Sequence, residues 1–284
     1  MGEEVLKPYK QLDTLAYYAR VAPLLKNFLD KKEIATVIYI PPKIRLLKRA
    51  TKLSAIYAKD IKASQKFLKF RAKNHLKDAK KLFSKKELTL WQYFFPRKLV
   101  EMHYAVNKEK SKQVDRVYID IDKGKLPAEN VQAVVKALIE IIRQDKQFNL
   151  NKSFFILWTG NSFHLYILLK KSISYKEFAK LFNLNSKLLK TWAAKAKQKT
   201  GVNVEIGHKE KRNKIILDTS QSAPGKLARA PFSLYVSGKV KRKITGVALP
   251  VSEKELEDRK LISKLEAMTA DKVVSQLDEY KKKV

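Results

Sequence analysis

Val117-Tyr118-Ile119-Asp120-Ile121-Asp122 decides how this chain is read. An apolar, β-branched run of that length predicts a buried strand, and along a strand alternate side chains point to the same face. Asp120 and Asp122 therefore share a face at the strand's end, just before the turn Lys123-Gly124-Lys125. Two carboxylates so placed suit a hard divalent cation such as Mg²⁺ or Mn²⁺, which takes oxygen ligands and keeps waters for substrate phosphates. The same pair is also compatible with an ordinary solvated strand end.

Working outward, the strand at 115–122 is followed by a helix from Pro127 to Arg143 with Val131, Val134, Leu138 and Ile141 on one side. Strands then fall at Ser153–Trp158 and His164–Leu169, joined by Thr159-Gly160-Asn161-Ser162. A helix from Ser174 to Gln198 and a strand Lys214–Asp218 complete the series. Its order is β-α-β-β-α-β, the ferredoxin- or RRM-like α/β (α+β) arrangement. First and last strands are neighbours there, which brings Asp218 towards Asp120 and Asp122.

Upstream, residues 9–31 read as a helix and Ala35–Ile40 as a strand ending at Pro41-Pro42. From Ile44 to Lys81 the pattern is basic and helical, with Tyr57, Phe67 and Phe70 set among the lysines and Phe83 just beyond. Rings at such spacing either stack bases of a single strand or form ordinary core. Ser84 and Glu87 make a capping box for a helix into Trp91-Gln92-Tyr93-Phe94. A second box, Ser252 with Glu255, opens one or two amphipathic helices carrying Leu256, Leu261, Leu265 and Val273. The expected organisation is a basic, mainly helical region 1–110, an RRM-like catalytic module 111–251, and a helical tail 252–284 for docking or packing.

Charge narrows the partners. The chain of 284 residues has 61 Lys+Arg against 28 Asp+Glu, a net +33, and such a field favours a polyanion. Residues 41–100 hold 18 basic and three acidic residues, whereas the segment from Ser252 has eight of each. No apolar run approaches the roughly 18 residues of a membrane span, and the N-terminus with its acids and lysines does not read as a signal peptide. No membrane partner is expected, and the location is expected to be cytoplasmic and nucleoid-associated. Zero cysteines remove disulfides, Cys-type zinc sites and iron–sulfur clusters.

Three patches stand in order: Asp120-x-Asp122; Thr159-Gly160-Asn161-Ser162-Phe163-His164; and Asp218-Thr219-Ser220-Gln221 followed by Arg229-Ala230-Pro231-Phe232-Ser233-Leu234. Together, over roughly residues 98–250, they resemble the archaeo-eukaryotic primase superfamily. Its motifs are a D-x-D, a Ser-Gly-x-x-x-His turn, a strand ending in a third Asp, and an Arg-x-Pro-x-Ser-Leu-His stretch. Thr159 replaces the usual serine, and Tyr235 stands where primases carry histidine and the polymerase domains of bacterial end-joining ligases carry arginine. The wording around Asp218 and Ala230 is as similar to those ligase-linked polymerases as to replicative primases, while Arg229 is similar to the primase side.

The resemblance implies a template-directed nucleotidyltransferase, a primase or primase-polymerase making primers on single-stranded DNA from nucleoside triphosphates. Asp120, Asp122 and Asp218 would hold two Mg²⁺ or Mn²⁺ ions; Thr159, Asn161, Ser162, His164, Lys214, Arg229 and Ser233 would bind the nucleotide. A primase large subunit or another replication protein is a further expected partner. A gap-filling polymerase of end-joining repair and a non-catalytic basic nucleic-acid-binding subunit are the alternatives. His164 also reads as a core histidine opening an apolar strand, and Arg229 as half of a surface ion pair. His75, His103 and His208 form no metal-ligand spacing and read as structural or exposed, although His103 precedes the D-x-D closely enough to line the site.

Overall fold

Each strand of the expected module forms where alternation placed it, within a residue or two at most ends. The computed structural model describes residues 6–7, 11–40, 44–49, 56–148, 152–209, 211–238 and 241–284; Pro41-Pro42, the expected strand stop, lies outside them. The chain divides into two units, Met1–Tyr104 with Arg229–Ala248 and Met268–Val284, and Ala105–Ala228 with Leu249–Ala267.

The first unit opens with α1 (Thr14–Leu25), capped by Asp13, whose carboxylate accepts the Ala16 N–H at 3.0 Å. β1 (Ile34–Ile40) pairs antiparallel with β2 (Ile44–Lys48), so the stretch from Ile44 begins as a strand and not as the expected helix. Ile44 to Lys48 finds its hydrogen bonds across β1, and that tertiary pairing overrides local helical pattern. Helices follow as α2 (Gln65–Lys73), α3 (Leu76–Ala79) and α4 (Lys85–Tyr93), the last started by the expected Ser84–Glu87 box. Phe67, Phe70, Phe83 and Trp91 meet edge to face with centroids 5.0–6.4 Å apart, so these rings pack on one another, Phe67 and Trp91 buried and Phe70 and Phe83 half-buried. Arg71 is buried as well: its guanidinium pairs with Asp13 and donates to Phe94 O at 2.6 Å. β3 (Leu99–Ala105) pairs with the other side of β1.

The second unit is built on β4 (Gln113–Asp122), α5 (Ala128–Gln144), β5 (Lys152–Trp158), β6 (Phe163–Ser174), α6 (Tyr175–Phe182), α7 (Lys187–Thr200), β7 (Val204–Ile206) and β8 (Ile215–Asp218). β9 (Leu227–Arg229) returns the chain to the β2-β1-β3 sheet as its fourth strand, and β10 (Leu234–Ser237) with β11 (Lys243–Val247) forms a hairpin in the first unit. β12 (Leu249–Val251) completes the second unit's sheet, whose order is β12-β5-β6-β4-β8-β7.

The inner four, β5-β6-β4-β8, are antiparallel and in the order a ferredoxin-like βαββαβ unit requires. β7, parallel to β8, and β12, antiparallel to β5, extend it at both edges and were not expected. The helix expected over Ser174–Gln198 is two helices, because Asn183-Leu184-Asn185-Ser186 interrupts it and Ser186 caps α7 through the Leu189 N–H. Ile119, Ile121, Leu165, Ile167, Ile215 and Leu217 line one face of the sheet, all at most 1% exposed. Alternation leaves Asp120, Asp122, His164 and Asp218 to the opposite face.

The expected tail does not stand as one piece. Gln132 of α5 donates to Leu256 O and Asp258 O at 2.9 and 3.0 Å, fixing the segment after β12 in the second unit. α8 (Leu261–Glu266) follows there, while α9 (Ala270–Ser275) and α10 (Leu277–Tyr280) belong to the first unit, where Tyr280 meets Phe232 edge-on at 5.4 Å. The apolar faces of these helices find different surfaces, so the segment packs in two places.

Candidate active site

Register assembles the site. Asp120 on β4 pairs directly with His164 on β6 and with Asp218 on β8, so the three lie in one row across three strands. Residues directly opposite in an antiparallel ladder share a face, with Cβ atoms about 4.5–5.5 Å apart. Asp122 follows in the next row, opposite Ile216, which in turn neighbours Glu205 on β7. The sequence motif thus becomes a line of donors at one edge of a sheet face.

Each member is held differently. His164 Nε2 lies 3.4 Å from Asp120 Oδ1, and its ring stands edge-on to Tyr118 at 4.8 Å. Its Nδ1 is buried with no hydrogen-bond partner among the described residues. Asp218 Oδ1 accepts the Ser220 N–H at 2.8 Å, and Oδ2 lies 3.1 Å from His208 Nδ1. In the sequence His208 forms no metal-ligand spacing with His75 or His103 and reads as structural or exposed; the parallel pairing of β7 with β8 brings it to Asp218. His103 lies on β3 of the first unit.

The Thr159–Ser162 turn is closed from within. Thr159 N–H donates to Ser162 O at 2.8 Å, the Ser162 N–H donates to Thr159 Oγ1 at 3.1 Å, and Gly160 takes φ 97°. Ser162 Oγ donates to Ile121 O, so that hydroxyl ties the turn to β4 between the two aspartates. Asn161 is exposed at the tip. β4 is secured further along by Asn107, whose Oδ1 accepts the Asp115 N–H at 3.0 Å while its Nδ2 donates to Arg116 O and Ser222 O. Ser222 in turn accepts from Tyr118 N–H and donates to Tyr118 O, both at 2.8 Å.

Lys214 is drawn, with Lys211, onto Glu205, whose carboxyl is held down at about 2 by the two ammonium partners. Gly124, in the turn after Asp122, has φ +57°, and a Cβ there would stand 2.0 Å from Lys211 O. Lys125 N–H donates to Arg212 O at 2.9 Å. The D-x-D turn and the 211–214 loop are therefore laced together through backbone.

Arg229 and Ser233 belong to the first unit. Arg229 pairs with Glu101 at 2.9 Å, donates to Leu234 O at 3.0 Å, and lies over the Tyr235 ring at 5.1 Å. Ser233 is fully buried, with its hydroxyl accepting the Met102 N–H at 2.9 Å. Both side chains have protein partners that a nucleotide would have to share or displace. The first unit also carries a cavity of about 560 Å³ lined by Arg97, Lys98, Lys241 and Lys243, with Arg242 over Tyr39 at 4.4 Å.

The donor set fits a hard divalent cation in kind: three carboxylates on one face, two of them opposite each other. Among the described residues, no three His, Asp or Glu side chains converge as a ready-made cation group. Asp218 is engaged by His208 and Ser220, one to each carboxylate oxygen. Among the described residues, no helix is long and apolar enough to cross a membrane.

The match of the whole chain to one family and the likeness of its fold to a solved polymerase domain make it a member of the archaeo-eukaryotic primase superfamily. The chain belongs to the family described as LigD, primase-polymerase domain, which it matches over residues 10–283. Its fold is similar to a polymerase domain from Mycobacterium tuberculosis ligase D, solved in complex with DNA, with a TM-score of 0.61 and 18% identity over 98% of this chain and 92% of that one. A comparison with curated proteins finds no match. The family is one of primase-polymerase nucleotidyltransferases.

Proposed function

We propose that this chain is a template-directed nucleotidyltransferase that joins nucleoside triphosphates on single-stranded DNA. The observation that carries this reading is the row His164–Asp120–Asp218, with Asp122 one row on, in which His164 and Asp218 are buried and Asp120 and Asp122 half-buried. Phosphoryl transfer is mostly positioning and neutralisation of charge. Asp120, Asp122 and Asp218 would hold divalent Mg²⁺ or Mn²⁺, which supplies charge stabilisation for the attacking hydroxyl and the departing pyrophosphate. The chain's own share is to present these oxygens in fixed register, to offer His164 and the Thr159–Ser162 turn as donors, and to bring Lys211 and Lys214 up on Glu205. Arg229 and Ser233 are proposed as further nucleotide contacts. The cavity around Tyr39 and the excess of cations suit a nucleic-acid backbone.

A second reading is gap filling in end-joining repair, favoured by the family match. Incorporation on an unprimed single strand against a primed gap separates the two. Asp120→Asn and Asp218→Ala are each expected to lower incorporation by a hundredfold or more while DNA affinity changes little, on the scale at which single catalytic groups act. Undiminished incorporation by Asp218→Ala would remove the three-carboxylate site from consideration.

A further inference from the structure

We infer that His208 is a positioning residue for Asp218, keeping the third carboxylate turned for a divalent cation. This rests on the reading of Asp120, Asp122 and Asp218 as a cation site. Ile206 pairs with Leu217, and Gly207 N–H donates to Leu217 O at 3.2 Å, so backbone bonds fix the residue just ahead of His208 against β8. From there Nδ1 reaches Asp218 Oδ2 at 3.1 Å. An ionised carboxylate only accepts, so Nδ1 is the donor.

The other oxygen, Oδ1, takes the Ser220 N–H at 2.8 Å. Asp218 is thus gripped from the chain before it and the chain after it, one bond to each oxygen. A carboxylate has about four lone-pair positions, so both oxygens keep one for a cation. Asp218 is 12% exposed in its side chain while His208 is 56% exposed. The imidazole therefore contributes little to the core, and its removal leaves the sheet packed. Partners that hold a ligating group in this way commonly set metal affinity by an order of magnitude or more.

The test is Mn²⁺ binding to the whole chain, followed by electron paramagnetic resonance or calorimetry, for the wild type and for H208A, H208N and D218A. H208A is expected to weaken Mn²⁺ binding about tenfold, and H208N to restore most of the loss, because its amide offers an N–H near the Nδ1 position. Affinity for single-stranded DNA should be the same in all. Unchanged or tighter binding by H208A, or H208N binding as weakly as H208A, overturns the role given to His208. A wild type that does not bind Mn²⁺, or a D218A protein that binds it as well as the wild type, instead overturns the cation site itself and this role with it.

Discussion

At the scale of single residues, the site depends on positions that carry no catalytic chemistry. Gly124 is one: it sits at φ +57° with the Lys211 carbonyl oxygen where a Cβ would be. Gly124→Ala combines an unfavourable backbone region with a clash against main chain and is expected to cost about 1–3 kcal/mol. Urea unfolding measures the loss, and a stability equal to the wild type would mean that the 211–212 loop moves freely away. The two carboxylates and the third aspartate were legible because alternation and topology alone put them on one face. His208 was not legible, because its link to Asp218 spans a loop whose course depends on β7, a strand of three residues with no pattern of its own.

At the scale of the element, β3 shows how one strand gathers titratable groups. Glu101 and His103 lie two apart on one face; Glu101 accepts from Tyr39 OH, Val236 N–H and Arg229, all at 2.9 Å. Burial pushes Glu101 up, yet the Arg229 guanidinium and the Val236 N–H more than offset this and hold it below the usual carboxylate range. Burial and the nearby Arg229 push His103 down from 6.5 to about 3. The unfolded chain then takes up a proton below about pH 6.5 that the folded chain refuses until about pH 3, so stability falls as pH drops through that window. Glu101 acts in the same direction, its contribution being present above its ordinary 4.5 and lost as pH falls below. Calorimetric melting between pH 7 and pH 4 should show a falling midpoint with a shallower slope in His103→Gln; parallel slopes would contradict it. The central strands β4, β5, β6 and β8 were readable because each is an apolar run bounded by turn residues. β2, β7 and β12 were not, since short edge strands are fixed by the neighbour they join and not by their own periodicity.

At the scale of the molecule, the +33 charge is the dominant long-range property. Arg71 is spent inside on Asp13, and Arg229 on Glu101, but most cations remain outside. Binding to single-stranded DNA should therefore fall steeply with salt, by roughly 0.7 in log affinity per log salt for each phosphate contacted, and differ little among unrelated sequences. Titrations of several strands across a salt series check this; salt-insensitive binding would rule it out.

The interleaving of the two units along the chain bears on how the protein is made. Ribosomes deliver residues in order, and the first unit needs segments 229–248 and 268–284 as well as its opening 104 residues. Until those emerge, β10 and β11 are missing, and Phe232 and Tyr280 cannot meet. The second unit, by contrast, has its four central strands in hand by Asp218 and lacks only β12 and the short segment after it. The carboxylate row thus has all of its strands before the segments that close the first unit have emerged, and residues of the opening 104 wait for those segments to be fully covered. A nascent chain that still lacks those segments exposes apolar surface of the first unit, the condition under which chaperone holding has most to offer.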